Sequence, residues 1–139
     1  MAGNITFTII KPMAVSMNNT GAILHMIAEA GFTVSALKML QLNRIEARKF
    51  YAVHEGKPFY DTLVEFMVSG PIVVAILKKD NAVEAYRKLI GSTDPAKAEE
   101  GTIRKRFAIS VQQNAVHGSD SDENAEAEAR FFFADHERF

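Results

Sequence analysis

Ile72-Val73-Val74-Ala75-Ile76-Leu77 is the longest apolar run of the chain, and no polar residue interrupts it. A strand with one wet face alternates, so an unbroken run of this length describes a central strand covered on both sides. Two-sided burial sets the architecture, because helices must then lie on each face of one sheet. At six residues the run falls far below the roughly 20 needed to cross a bilayer, so no membrane partner is expected. Ser69-Gly70-Pro71 stops whatever precedes the run. Beyond it Asp80 is placed to cap a helix through Ile90, with Gly91 closing that helix.

Towards the N-terminus, Ile5, Phe7 and Ile9 alternate with Thr6 and Thr8, the period-2 signature of a strand, and Lys11 arrives where that strand ends. Thr20 to Ala30 carries Ile23, Leu24, Ile27 and Ala28 at helical spacing, followed by Gly31 as a C′ residue. Phe32, Val34 and Ala36 alternate with Thr33 and Ser35, opening a second strand over 32–42 whose alternation fades after Leu37. Asn43 and Glu46 form a capping pair for a helix through about His54. Gly56-Lys57-Pro58 then breaks the chain, and Pro58 is placed as the first residue of a short helix carrying Leu63, Phe66 and Met67. From Gly91 to Asn114 periodicity is weak, and an irregular stretch of that length in a compact domain is expected to be functional. Ala115-Val116-His117 makes a brief last strand, and Ser121 caps a helix containing Ala125, Ala129, Phe132 and Phe133. The pattern describes an α/β or α+β sandwich.

A chain of 139 residues fits one domain, 1–139, with no repeat and no flexible linker. There are no cysteines, which removes disulfides and thiolate metal sites, and Lys11-Pro12 cuts short the only early apolar run, so no secretory leader is expected. The protein is read as cytoplasmic. With 16 basic and 17 acidic side chains its net charge is −1, so no global field attracts nucleic acid or an anionic membrane, and any anion site must be local. There is no Gly-x-x-x-x-Gly-Lys-Ser/Thr loop to cradle phosphates.

Asn114-Ala115-Val116-His117-Gly118-Ser119-Asp120-Ser121 sets one histidine between a short apolar stretch and a turn of small polar residues, where a working side chain is commonly displayed. A neutral imidazole can act as a nucleophile near physiological pH, and a ring nitrogen that attacks phosphorus becomes a phosphohistidine. Taken alone, a histidine beside apolar residues is more often structural. Together with Ile9-Ile10-Lys11-Pro12, Tyr51, Pro58-Phe59, Ser69-Gly70-Pro71, Gly91-Ser92-Thr93-Asp94-Pro95 and Gly101-Thr102-Ile103-Arg104, in that order over nearly the whole chain, the segment resembles the nucleoside diphosphate kinases of short, bacterial type.

The resemblance implies a ferredoxin-like fold, a four-stranded antiparallel sheet with helices and a helical insertion around residues 43–68. It implies transfer of the terminal phosphoryl of a nucleoside triphosphate to a nucleoside diphosphate through a phosphohistidine at His117, by a ping-pong route with broad base specificity. It also implies Mg²⁺ as cofactor, nucleoside di- and triphosphates as partners, no need of nucleic acid, and a homo-oligomer of four or six subunits. Glu128 is implied as the carboxylate supporting His117, with Ser119 supporting Glu128. By periodicity alone Glu128 is a solvated residue, with Asp122, Glu123 and Glu126 equally placed. Lys11, Arg87, Thr93 and Arg104 are implied as phosphate and ribose binders, although Arg87 and Arg104 read on their own as surface residues. Tyr51 is implied close to the histidine, and its neighbour Phe50 leaves a core role equally open. Asn114 is implied at the ribose 3′-hydroxyl with Lys11, while Phe59 and Val111 are implied as the sides of a base slot that Leu63 extends. Asp120 is implied to reach Mg²⁺ through water, the ion being carried mainly by nucleotide phosphates, and both Ser119 and Asp120 could instead be turn or capping residues.

Two positions depart from the family pattern: Met13, where Asp usually follows Lys-Pro, and Arg106, where an acidic residue is common. Two rival functions remain at this stage. One is a nucleotide-binding regulatory module with a structural histidine, and the other is a nucleic-acid-binding module using Arg104-Lys105-Arg106. Only the kinase requires a phosphoenzyme.

Overall fold

In the computed structural model, which describes residues 3–139, the apolar run lies within the central strand β3 (Ile72–Lys78). Its side chains divide as the sequence required. Ile72, Val74 and Ile76 enter one core, while Val73, Ala75 and Leu77 enter the other. β3 pairs with β1 (Ile5–Ile10) on one side and β2 (Thr33–Leu40) on the other, and β4 (Val116–Gly118) closes the far edge beside β1. All three pairings are antiparallel and the order is β2-β3-β1-β4, the ferredoxin-like arrangement.

One face of the sheet is covered by α3 (Arg44–Phe50), α4 (Tyr60–Met67) and α7 (Asp122–Phe132), which bury Ala47, Val64, Met67, Ala129 and Phe132 against Phe7 and Ile9. The opposite face takes α1 (Pro12–Ser16), α2 (Thr20–Glu29), α5 (Ala82–Ile90) and α6 (Ile103–Phe107), around Ile23, Ile27, Tyr86 and Ile103. α3 and α4 are the expected helical insertion. Their capping chemistry is local: Asn43 Oδ1 accepts from the Glu46 amide at 2.8 Å while Glu46 Oε1 accepts from the Asn43 amide at 3.0 Å.

Several expectations are corrected. Lys11 does arrive where β1 ends, but a helix that the sequence reading did not include begins directly after it. Pro12 is the first residue of α1, with Lys11 as its N-cap, because proline is pre-set for that position. α3 ends at Phe50 and a single 3-10 turn, Ala52–His54, replaces its last stretch. Pro58 lies outside α4, whose N-cap is Phe59. Asp80 does not cap α5; Asn81 does, in a left-handed conformation with φ 53°, and its side-chain amide donates to Glu84 at 2.8 Å. The stretch from Gly91 to Asn114 is not all loop. Asp94 caps the turn Pro95–Lys97, and Thr102 accepts from the Lys105 amide at 3.2 Å to open α6.

Candidate active site

β4 places His117 opposite Ile9, and the imidazole emerges on the face covered by α3, α4 and α7. Phe50 meets the ring edge-on with centroids 5.7 Å apart, and Phe7 tilts against it at 6.2 Å. From α7, Glu128 reaches back so that its Oε1 lies 2.9 Å from His117 Nε2. The same oxygen accepts from Ser119 Oγ at 2.7 Å, and the fully buried Ser119 hydroxyl accepts from the Phe7 amide at 3.2 Å. The solvated reading of Glu128 is therefore corrected, because α7 folds back over β1 and turns that helix face inward. An Nε2–H donated to the carboxylate fixes the tautomer and leaves the Nδ1 lone pair uncommitted.

On the other side of His117 the chain gathers cations. Lys11 and Arg104 are each only 7% exposed, so the surface reading of Arg104 is also corrected. Arg104 Nη1 donates to the Gly91 carbonyl at 3.0 Å and Nη2 to the Val116 carbonyl at 2.9 Å. Burial first and Arg104 second lower the Lys11 ammonium to about 8. Burial, with repulsion from Arg87, lowers the Arg104 guanidinium to about 10. Arg87 itself stands exposed on the last turn of α5. Arg104 bears on the Lys11 charge and Arg87 on the Arg104 charge, and crowded cations of this kind make a ready place for an anion.

Four buried polar atoms around His117 have no partner among the described residues: Tyr51 Oη, His54 Nδ1, Arg104 Nε and Asn114 Oδ1. Orphans of this kind are rare in a closed core and usual where a polar ligand docks. Burial, reinforced by the Glu128 carboxylate, pushes the Tyr51 phenol above its ordinary range, so it stays protonated and can donate. His54, which the sequence did not single out, packs on Phe59 with centroids 5.2 Å apart and on Tyr51 at 6.3 Å. Burial, then Lys57 and His117, lower its imidazole. Its place three residues after Tyr51 was the available signal, since that spacing puts two side chains on one helical face.

The remaining expected residues lie around the rim. Phe59 is 46% exposed at the head of α4, and Leu63 is half-buried one turn along. Val111 is exposed in a loop tied to α4 by Gln112 Nε2, which donates to the Thr62 carbonyl at 3.3 Å. Thr93 stands exposed just past Gly91. Asp120 is exposed too, with Oδ1 accepting from Asn124 Nδ2 at 2.6 Å, so part of its carboxylate serves the start of α7. No group of three or more His, Asp or Glu side chains gathers as a metal cage among the described residues. None of the described helices is long and apolar enough to cross a membrane.

Residues 4–138 match the sequence model of the family described as nucleoside diphosphate kinase. The nucleoside diphosphate kinase of Flavobacterium psychrophilum is 58% identical over 139 residues, covering the whole of both chains. That of Lawsonia intracellularis is 57% identical over 133 residues, 96% of each chain. Among solved structures, an orthorhombic crystal form of the Aquifex aeolicus nucleoside diphosphate kinase superposes with a TM-score of 0.95 at 39% identity, covering 98% of this chain and 99% of that one. The halophilic nucleoside diphosphate kinase of Halobacterium salinarum, solved in complex with CDP, superposes with a TM-score of 0.93 at 33% identity, covering 99% of this chain and 92% of that one. On sequence and fold alike, the chain belongs to the nucleoside diphosphate kinase family.

Proposed function

We propose that His117 is the phosphoryl carrier in this family's reaction, phosphoryl transfer between nucleotides, and that Nδ1 is the attacking atom. The observation that carries this is the hydrogen-bond chain from Ser119 through Glu128 to His117 Nε2, which leaves one ring nitrogen uncommitted beside a cluster of cations. In the first half-reaction the Nδ1 lone pair forms a bond to the terminal phosphorus of a nucleoside triphosphate. The bond from that phosphorus to the bridging oxygen breaks, and the oxygen keeps the electron pair and leaves with the diphosphate. A second nucleoside diphosphate then takes the phosphoryl by the reverse of these steps. As Nδ1 bonds to phosphorus the ring gains positive charge, which the Glu128 carboxylate facing Nε2–H stabilises.

Transfer of this kind spreads charge over the equatorial oxygens, so most of the catalysis is positioning and electrostatics. Lys11, Arg87 and Arg104 supply the positive field, with Thr93 beside them, and Tyr51 Oη is a free donor at the reacting end. Asn114 Oδ1 and Lys11 suit a ribose 3′-hydroxyl, one as acceptor and one as donor. Phe59, Leu63 and Val111 offer apolar surface for a base without reading its edge, which supports broad base specificity. An exposed Asp120 with a carboxylate oxygen to spare supports Mg²⁺ carried by the nucleotide phosphates and approached by Asp120 through water. Bound there, the ion would supply charge neutralisation on the phosphates.

A homo-oligomer is part of the same proposal. β2 is an edge strand whose Leu37 and Met39 are 50% and 59% exposed, a combination that stable monomers avoid. Sedimentation distinguishes four subunits from six, and cell fractionation tests the cytoplasmic setting. The deciding experiment is chemical. Incubation with γ-labelled ATP and Mg²⁺ should give a phosphoenzyme stable to base, labile to acid and discharged by GDP. In His117→Ala both label and transfer should vanish, and wild-type labelling of that variant would overturn the assignment.

A further inference from the structure

Thr8 breaks the pattern it was read in. It is the polar partner in the alternation of β1, yet it is completely buried beneath α5. Its Oγ1 donates to the His117 backbone carbonyl at 2.8 Å. Because the Thr8 hydroxyl has one proton and spends it there, the second contact, with Tyr86 Oη at 2.7 Å, must have the tyrosine as donor. A directed relay results: Tyr86 O–H to Thr8 Oγ1, and Thr8 O–H to the carbonyl of His117. Tyr86 is also fully buried, its ring is braced edge-on by Phe32 at 5.6 Å, and a Cβ on Gly118 would meet that ring at 3.1 Å. The relay and the tyrosine ring thus press on β4 from the face opposite the imidazole.

β4 is only three residues long and follows an expensive turn. Ala115 sits at φ 75° between an Asn114 carbonyl and a Val116 amide 2.9 Å apart, a γ-turn of the strained, positive-φ kind. Such strain persists only where the surroundings over-determine it. Three donors do so on consecutive carbonyls: the Lys11 amide on Ala115 at 2.9 Å, Arg104 on Val116 at 2.9 Å, and Thr8 on His117. The first two come from residues that face the phosphate region. The third comes from a hydroxyl pair on the opposite face of β4, whose Tyr86 lies close enough to Arg104 to bear on its charge.

We infer that Thr8 and Tyr86 are positioning residues for the nucleophile, a buried hydroxyl relay that fixes the His117 main chain so that Nδ1 meets the terminal phosphorus in line. This rests on His117 being the phosphoryl carrier. Near-attack placement governs rate steeply, and a 1 Å error can cost on the order of a hundredfold.

Single-turnover labelling from γ-labelled ATP, normalised to the phosphoenzyme formed at completion, separates positioning from folding. Tyr86→Phe and Thr8→Val should each slow phosphorylation by about tenfold, with the nucleotide concentration for half-maximal rate unchanged. Thr8→Ser, which keeps the hydroxyl, should restore most of the rate. The double variant Thr8→Val/Tyr86→Phe leaves no orphaned side-chain hydroxyl, so its melting temperature should recover in part relative to Thr8→Val. Its phosphorylation should nevertheless stay slow. A double variant whose rate recovers with its stability would overturn the relay, as would single variants phosphorylated at the wild-type rate. Wild-type protein that forms no acid-labile phosphoenzyme would instead sink the His117 assignment, so the two failures are distinct.

Discussion

Lys11 and Arg104 lie buried as neighbouring cations, and Arg104 adds to the cost that burial puts on the Lys11 charge. With Lys11 lowered to about 8 from its usual 10.5, the folded protein loses a proton that the unfolded chain retains between those values. The cost of holding that charge is fully present below pH 8 and is relieved as pH rises towards 10.5, so this group's contribution to stability improves through that window. A bound phosphate acts in the opposite direction and raises the ammonium again. Nucleoside diphosphate binding at pH 8.5 should therefore take up a fraction of a proton, falling towards zero at pH 7. Titration calorimetry in two buffers of different ionisation enthalpy measures this. Lys11→Met should abolish the uptake, weaken binding, and raise the unfolding free energy by about 2 kcal/mol.

Glu128 Oε1 serves two donors at once, His117 Nε2 and Ser119 Oγ. Glu128→Gln keeps the shape but loses the charge that steadies a cationic ring, and its amide nitrogen can no longer accept. Phosphoenzyme formation should persist at a rate lower by roughly ten- to a hundredfold. Unchanged single-turnover labelling would remove Glu128 from the supporting role.

Gly91 connects the phosphate region to the fold. Its φ is 85°, and a Cβ there would meet Thr102 Oγ1 at 2.7 Å. Thr102 Oγ1 caps α6 and its hydroxyl donates to the Glu99 carbonyl, while the Gly91 carbonyl holds Arg104. Gly91→Ala should destabilise by about 2 kcal/mol through strain and a disturbed cap. It should also raise KM more than a surface change of equal stability cost, because Arg104 shifts with its acceptor. Thermal unfolding and steady-state kinetics on the same preparation check both parts.

Much of the architecture was readable because it follows from patterns with one solution. The unbroken run at 72–77 required cover on both faces, and Asn43 with Glu46 required a helix start. What escaped had two consistent readings, and tertiary packing chose between them. Thr6 and Thr8 alternate like solvent-facing residues, yet α5 lies over them. Arg104 looks like part of a basic surface run, yet it is buried, with Nη1 and Nη2 held by two carbonyls and Nε left open. Lys11-Pro12 reads as a stop and is a helix start. At the site, His117 and Lys11 were visible from their positions beside strand ends. His54 and the relay through Thr8 to Tyr86 were not, because they depend on residues 31 to 109 positions from His117 meeting in space, which no local spacing records.

For the acceptor, Asn114 Oδ1 is buried and unpartnered, one residue before the Ala115 carbonyl that accepts from the Lys11 amide. A 3′-deoxynucleoside diphosphate would leave both groups unpaired, and rejection of that kind reaches on the order of 10⁴-fold when a site is built around a hydroxyl. Its kcat/KM should fall at least a hundredfold below that of the parent nucleotide. ADP, GDP, CDP and UDP should meanwhile differ far less among themselves, since Phe59, Leu63 and Val111 present no polar group to a base edge. Equal values for the two sugars would take Asn114 and Lys11 out of ribose recognition.

Met13, the departure inside the Lys-Pro motif, occupies the second position of α1, half-buried and two residues from the Lys11 N-cap. The first turn of that helix contains no acidic residue, and the cap makes no side-chain hydrogen bond. An aspartate there would lie against free backbone amides and the positive end of the helix, worth up to about 1 kcal/mol. It would also be the first carboxylate to offset the cost of the buried Lys11 charge. Met13→Asp should therefore raise the melting temperature and move the pH window of nucleotide-linked proton uptake upward, away from 8. kcat/KM at pH 7 should change little, because Lys11 is already protonated there. Both proteins must be compared at one concentration, since subunit dissociation makes melting concentration-dependent. A tenfold change in kcat/KM with unaltered melting would place Met13 in the phosphate site rather than in the scaffold beneath it.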